Sequence, residues 1–150
     1  KSPDSASYAY IVMPNTSEQQ FLDGNKNNCD IAILANNPRL QGVINRKLGI
    51  CQVVFYTGGE VELSEGSILR MESPGMAMLK FEGGRVMELT VSDPSRKLRR
   101  MMVSLSGSYE ATGEGVLAVS DADHDETLVI VDLPRDVYAG KSVGVSLRAK

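Results

Sequence analysis

The sequence predicts an all-β domain, specifically an antiparallel β-sandwich with at most one or two short helices. Two observations lead to this prediction. Short apolar runs recur about every 10 residues and are separated by turn residues, a spacing typical of sandwiches and barrels. Within many runs, apolar and polar residues alternate, which places one face of each strand in a core and the other in water.

The bulk composition is that of a folded domain. The chain has 150 residues, of which 42% are hydrophobic and 23% are charged, enough for one domain with a core of its own. Its net charge of −3 supplies no global basic field for nucleic acid or an anionic membrane surface. No apolar run approaches the roughly 20 residues needed to cross a bilayer. We therefore expect neither nucleic acid nor a membrane as a partner.

The alternation also predicts which side chains face the core. In four predicted strands, apolar residues occupy every second position, as one buried face requires. The segment Leu128–Val131 is apolar throughout, which predicts a strand with both faces buried against other parts of the protein. The predicted inward positions are Val61, Leu63, Met87, Leu89, Val91, Met101, Val103, Leu105, Val143, Val145 and Leu147. Further apolar runs are Tyr8–Met13, Ile31–Ala35, Leu40–Ile44 and Ile50–Tyr56.

Two Gly-Gly pairs predict two-residue hairpin loops. Gly58-Gly59 separates two apolar runs, and so does Gly83-Gly84. Glycine adopts the positive φ angles that such loops need without steric cost.

One short helix is predicted near the start, and the compact domain follows it. Ser17 and Gln20 form a capping-box pattern, and Asp23-Gly24 is a stop signal. We predict a lead-in over residues 1–28 and a compact β-sandwich over residues 29–150.

No complete catalytic centre is evident in the sequence. His124 is the single histidine, which excludes a histidine-rich metal site and a two-histidine relay. No Gly-rich phosphate loop precedes a helix, and no strand–turn–helix unit holds a nucleophilic serine. We predict no catalytic residue within this chain.

No metal or other cofactor is predicted. Asp121, Asp123 and Asp125 resemble the opening of a calcium-binding loop, but the glycine and the distant glutamate of such a loop are missing. A solvated hairpin loop is the favoured interpretation. Cys29 and Cys51 match no zinc motif, and we interpret both as buried free thiols.

A basic cluster is the candidate binding site. Arg96, Lys97, Arg99 and Arg100 follow the turn Asp93-Pro94-Ser95. Arginine pairs bidentately with carboxylates and sulfates, so the cluster is a candidate substrate-binding site for an anionic polysaccharide. The structural alternative, which we favour, is that these charged residues have no ligand and simply form the solvent-exposed beginning of the strand Met101–Leu105.

Several segments along the chain share the order and spacing of a known group of proteins. They are Tyr8–Asn15, Ile33–Asn37, Leu40–Val43, Lys47–Gly49, Val53–Tyr56, Leu89–Ser95, Val131–Pro134 and Ala139–Ser142. In that order they resemble the C-terminal end of a polysaccharide lyase family that contains chondroitin AC, hyaluronate and xanthan lyases, and the ending is most similar to chondroitin lyases. Phe55-Tyr56 and Gly42 depart from the family pattern, which commonly has an aromatic pair ending in Trp and an Ala there.

The resemblance implies a parent protein with a helical toroid, a central β-sandwich and a smaller C-terminal β-sandwich. Such lyases cleave uronic-acid-containing polysaccharides by β-elimination, with Asn, His and Tyr residues that lie upstream of this part of the family. Residues 1–28 would then contain the last strand of the central sandwich. The implied partner is the remainder of the lyase, and the implied location is secreted or periplasmic.

Elimination beside a uronate needs its carboxylate neutralised and a base near the C5 proton, and the chain offers neither. We therefore expect a non-catalytic C-terminal domain of a lyase that degrades chondroitin sulfate or hyaluronan. The alternatives are a stand-alone carbohydrate-binding module and a protein-interaction sandwich.

Overall fold

A computed structural model describes residues 8–12, 14–26, 30–64, 66–121 and 123–150. These residues form one α-helix, twelve β-strands and one 3-10 helix (Asp136–Tyr138). The helix is α1 (Glu18–Lys26), and the strands are β1 (Ile31–Asn37), β2 (Leu40–Asn45), β3 (Ile50–Phe55), β4 (Gly59–Ser64), β5 (Ser67–Met71), β6 (Gly75–Glu82), β7 (Arg85–Ser92), β8 (Arg100–Ser106), β9 (Tyr109–Thr112), β10 (Val116–Asp121), β11 (Glu126–Asp132) and β12 (Val143–Ala149).

The strands form two antiparallel sheets. The seven-stranded sheet has the order β1-β2-β3-β6-β7-β12-β9, and the five-stranded sheet has the order β10-β11-β8-β5-β4. The predicted all-β sandwich is thus confirmed. Among the described residues, no helix has the length and apolar character needed to span a membrane.

The core lies between the two sheets. Each fully buried aliphatic side chain stabilises the fold by roughly 1.5–3 kcal/mol. The largest fully buried side chains of the core are Phe55, Leu63, Leu69, Met71, Leu79, Leu89, Met101, Leu105, Val53, Val91, Val103 and Val129.

Nine of the eleven predicted inward positions are buried, whereas Val143 is half-buried and Met87 is exposed. Lys80 pairs with Glu88, but Phe81 pairs with Val86, so a β-bulge leaves Met87 unpaired. A bulge shifts the alternation by one residue. Val86 is therefore buried in the core, whereas Met87 is exposed. Leu128 and Ile130 are half-buried, so Leu128–Val131 is partly covered on its outer face.

One of the two predicted Gly-Gly hairpins is confirmed, and the other is wrong. Gly83 (φ 57°) and Gly84 (φ 79°) connect β6 to β7, and Glu82 pairs with Arg85. Gly58-Gly59 instead carries the chain from β3, in the seven-stranded sheet, to β4, in the five-stranded sheet. The two strands that flank it do not pair with each other, because each finds its partners in a different sheet.

The predicted capping box is confirmed at the start of α1. The Ser17 N–H donates to Gln20 Oε1 (2.9 Å), and the Gln20 N–H donates to Ser17 Oγ (3.3 Å). The helix continues to Lys26, past the stop predicted at Asp23-Gly24. Residues 8–12 join neither sheet, so their assignment to a strand of another domain stays a prediction.

Candidate functional site

The predicted basic cluster lies where the chain crosses from the seven-stranded to the five-stranded sheet. Arg96, Lys97 and Arg99 belong to the β7–β8 connection, and Arg100 is the first residue of β8. All four are exposed to solvent.

Asp93 sets the conformation of this connection. Its side chain is only 4% exposed. Its Oδ1 accepts hydrogen bonds from Ser95 N–H (2.8 Å) and Ser95 Oγ (2.6 Å). Its Oδ2 accepts from the N–H groups of Lys97 and Leu98, both at 2.7 Å. Burial raises the pKa of Asp93, but these four hydrogen bonds together outweigh it and the pKa lies below its usual value.

A second crossing between the sheets packs against the first one. The β11–β12 connection contributes the Leu133 N–H, which donates to the Arg99 carbonyl at 2.9 Å. Arg96 Nη2 donates to the Asp136 carbonyl at 3.5 Å. Gly140 (φ 90°) permits the β11–β12 connection to lie close to the β7–β8 connection, because a Cβ at this position would lie only 3.1 Å from Arg96 Cγ. The two crossings therefore form one surface.

The second crossing adds two basic residues that the sequence analysis missed. Arg135 and Lys141 lie on the β11–β12 connection, more than thirty positions from the predicted cluster. No local pattern links them to it, because only the sandwich topology places the crossings side by side. We name Arg96, Lys97, Arg99, Arg100, Arg135 and Lys141 the basic surface.

A groove runs beside the basic surface. It has a volume of about 730 Å³, and Arg135, Tyr138 and Lys141 contribute to its wall. Tyr138 is 66% exposed, and Lys141 Nζ lies 6.0 Å from the centre of its ring, within the range of a cation–π interaction. Cationic side chains beside an exposed ring can hold an anion that also carries an apolar face.

Most of the positive charge on this surface is available to a ligand. Arg100 Nε lies 2.8 Å from Asp132 Oδ1. Within the described part of the chain, the other five basic side chains have no carboxylate oxygen within 4.0 Å.

The acidic loop with Asp121, Asp123 and Asp125 is predicted to be a hairpin loop. This prediction is confirmed, because the loop joins the paired strands β10 and β11. His124 Nδ1 lies 2.8 Å from Asp121 Oδ2, and the Asp123 N–H donates to Asp121 Oδ1 at 3.0 Å. The His124 hydrogen bond lowers the pKa of Asp121. In the residues that the structure describes, no three His, Cys, Asp or Glu side chains are grouped to hold a metal ion.

Two further side chains, Cys51 and Glu110, have shifted pKa values that structural contacts explain. Burial raises the pKa of Cys51 to about 11, so this free thiol is kept neutral in the core. Cys29 lies outside the described residues. The hydrogen bond from Arg148 lowers the pKa of Glu110. These groups lie on separate parts of the sandwich and do not converge on a cleft.

A second candidate surface is the outer face of the seven-stranded sheet. Val43 pairs with Gln52, Gln52 with Met78, and Met78 with Thr90, which places them in one row across four strands. Val54 and Met76 form part of the adjacent row. We name the apolar members, Ile33, Val43, Val54, Met76 and Met78, the apolar face.

The first described segment lies along this face. The Tyr8 carbonyl accepts a hydrogen bond from Asn36 Nδ2 at 3.3 Å. The rings of Tyr8 and Tyr10 are stacked 6.2 Å apart. A groove of about 530 Å³ between this segment and β1–β2 shares Gln41, Gly42 and Val43 with a second groove of about 360 Å³ that reaches Met76 and Met78.

Fold and surfaces together define a two-sheet β-sandwich domain with an apolar face and a basic surface. Residues 32–102 match the sequence model of the C-terminal β-sandwich domain of polysaccharide lyase family 8. This match confirms the resemblance noted in the sequence.

Two curated relatives match nearly the whole length of this chain. The chain is 28% identical to a chondroitinase-AC of Pedobacter heparinus over 94% of its own length. It is 24% identical to a hyaluronate lyase of Thermasporomyces composti over 98% of its length. It spans 18% of each relative.

Solved lyase structures share the fold. A Paenibacillus xanthan lyase superposes with a TM-score of 0.73 at 19% identity, covering 92% of this chain and 13% of that one. A chondroitin AC lyase of Streptomyces coelicolor A3, in complex with chondroitin sulphate, gives 0.70 at 21% identity, covering 91% and 18%.

Proposed function

We propose that this chain is the non-catalytic C-terminal domain of a polysaccharide lyase. Its full-length parent would degrade uronic-acid-containing glycosaminoglycans, chondroitin sulfate or hyaluronan, by β-elimination. The family match over residues 32–102 carries the proposal. The names of the two curated relatives support the substrate class, and both are about five times as long as this chain.

The chemistry of the described residues supports a non-catalytic role. Proton abstraction beside a uronate needs a base within hydrogen-bond reach of the proton and a group that neutralises the carboxylate. His124 is highly exposed and pairs with Asp121. The nearest aromatic hydroxyl to the basic surface, that of Tyr138, sits on a 3-10 helix without a histidine beside it.

The apolar face is the part of the domain that would contact the preceding part of the parent. Exposed apolar side chains spread over several strands mark an interaction surface. The segment Tyr8–Val12 lies along this face, and its residues Tyr8, Tyr10 and Val12 are 84%, 76% and 74% exposed. Under this proposal residues 1–28 are the lead-in, residues 29–150 are the domain, and the central β-sandwich of the parent covers the face.

The location of the parent follows from its substrate. Glycosaminoglycans are extracellular polymers, and a lyase that cleaves them must meet them outside the cytoplasm. We accordingly propose a secreted or periplasmic parent.

Catalysis is tested by comparing the 150-residue chain with its full-length parent on chondroitin sulfate and hyaluronan. We expect the parent to produce the ultraviolet absorbance of an unsaturated uronate and the folded chain to produce none. Circular dichroism must first show that the isolated chain is a β-sheet protein. Product formation by the isolated chain above a boiled control would refute the proposal.

Docking is tested in the parent by placing a charge on each sheet. Met78→Glu alters the apolar face (Met78 is 41% exposed), and Val119→Glu is the matched change on the five-stranded sheet (53% exposed). We expect Met78→Glu to lower the thermal midpoint of the parent, because it buries a charge at the interface, and Val119→Glu to leave it within about 2 °C. Equal effects would reject this face as the contact.

A further inference from the structure

We propose that the basic surface and the groove beside it bind an acidic polysaccharide. This inference rests on the proposed function, which supplies a parent that acts on such polymers. It goes beyond that function because it gives this domain a ligand contact of its own, at the crossings between the sheets and not on the apolar face.

The first argument is that the surface is built before any ligand arrives. Asp93 holds the β7–β8 connection through four hydrogen bonds of 2.6–2.8 Å. Arg96 has a positive φ of 61° inside this connection, an unusual conformation that only a constrained loop maintains. Preorganised contacts bind more tightly because less conformational entropy is lost on binding.

The second argument is the sign of the charge. The chain has a net charge of −3, yet the two crossings, residues 93–100 and 132–142, carry six basic and three acidic side chains. One of the three acidic residues is Asp93, whose two carboxylate oxygens accept hydrogen bonds from N–H groups of its own loop. A local excess of positive charge on an acidic protein attracts anionic partners selectively.

The third argument is the combination of groups. Arg96, Arg99 and Arg135 offer guanidinium forks, which match carboxylates and sulfates bidentately. Tyr138 offers an exposed ring within the groove, and aromatic rings pack against the apolar faces of sugar rings. An acidic polysaccharide presents both features along its length.

The test is binding of fluorescent chondroitin sulfate to the 150-residue chain, with hyaluronan, neutral dextran and duplex DNA as comparison probes. The altered protein is the triple variant Arg96→Ala, Lys97→Ala, Arg99→Ala. The matched control is Arg46→Ala, Lys47→Ala, Arg85→Ala, which removes two arginines and one lysine from exposed positions elsewhere. Both variants change the net charge equally, so a difference between them reports position.

We expect the triple variant to weaken chondroitin sulfate binding at least tenfold at low salt, and the control to weaken it less than twofold. Binding of the unaltered chain should fall as salt rises, because added ions screen exposed charges. Tyr138→Ala should weaken binding to chondroitin sulfate at least threefold and leave any binding to DNA unchanged.

Three results would overturn the inference: no binding of chondroitin sulfate or hyaluronan at low salt, equal losses in the triple variant and its control, or equally tight binding of DNA. None of these would touch the proposed function, which is tested by product formation and by docking in the parent. Unaltered thermal midpoints in all variants are required first, so that a loss of binding is not a loss of fold.

Discussion

The two sheets share one core but present different outer faces. On the seven-stranded sheet, exposed apolar side chains lie on four strands, with Ile33 on β1, Val43 on β2, Met78 on β6 and Met87 on β7. On the five-stranded sheet, the most exposed apolar side chains, Leu117 and Val119, lie on the edge strand β10. The same outer face carries ion pairs of Arg70 on β5 with Glu60 on β4 and Glu126 on β11.

The proposal that the seven-stranded sheet meets the preceding part of the parent rests on this difference. Isolated exposed apolar residues are normal on a soluble domain, whereas a contiguous patch marks an interface. The first described segment of the chain also contacts the seven-stranded sheet, through Tyr8 and Asn36. Both observations support the proposed docking face, and the following predictions test the contrast from the largest effect to the smallest.

The largest effect is expected in the core that both sheets share. Leu89→Ala removes a fully buried side chain of β7 and should lower the free energy of unfolding by about 3 kcal/mol. Thr90→Ala, on the outer side of the same strand, should cost less than about 1 kcal/mol. Urea unfolding of the 150-residue chain measures both, and similar costs would mean that the assignment of inner and outer faces is wrong.

The next effect is expected at the crossing from one sheet to the other. Asp93→Asn should lower the free energy of unfolding by about 2–3 kcal/mol, because it weakens charge-assisted hydrogen bonds to a buried group. Since the pKa of Asp93 is lowered on folding, its contribution is fully present above the unfolded value of about 4. It is lost as the pH falls from there through the folded pKa.

The measurement is urea unfolding between pH 2 and pH 7. The difference between the unaltered chain and Asp93→Asn should be constant near neutral pH and shrink in acid. Asp123→Asn, in the exposed β10–β11 loop, is the control and should give a small difference throughout. A gap that persisted unchanged at pH 2 would contradict the structural role given to the ionised carboxylate.

A smaller effect is expected for charges placed on the outer faces of the isolated chain. Met78→Glu and Val119→Glu should each cost less than about 1 kcal/mol, because both positions face water when no partner is present. The same pair is expected to differ clearly in the parent. If Met78→Glu destabilised the isolated chain strongly, its effect in the parent would say nothing about docking.

The smallest effects are expected for the surface ion pairs. Arg70→Ala on the five-stranded sheet removes two surface ion pairs, and Lys80→Ala on the seven-stranded sheet removes one. Each pair should contribute about 0.2–1 kcal/mol. The cost should decline further at high salt. Thermal midpoints at low and high salt measure these costs. A cost above about 2 kcal/mol would show that the ion pairs contribute more to stability than exposed pairs usually do.

Local patterns were sufficient where neighbouring residues decide the structure. The Ser17–Gln20 capping box and the Gly83-Gly84 hairpin each depend on a few consecutive residues, and both were predicted. The Gly58-Gly59 turn looks the same locally, but its strands belong to different sheets, and strand pairing depends on distant residues. Met87 was placed wrongly because a β-bulge is invisible to strict alternation.

By itself the sequence determined the fold class, the inward faces of most strands and the family resemblance, because alternation and turn chemistry are local and the family segments follow one another along the chain. It also placed Arg96, Lys97, Arg99 and Arg100 together. Only the tertiary structure decided that Arg135, Tyr138 and Lys141 join them and that Asp93 braces the loop. Those contacts join residues tens of positions apart, and they form only when the two sheets pack and bring their crossings to the same place.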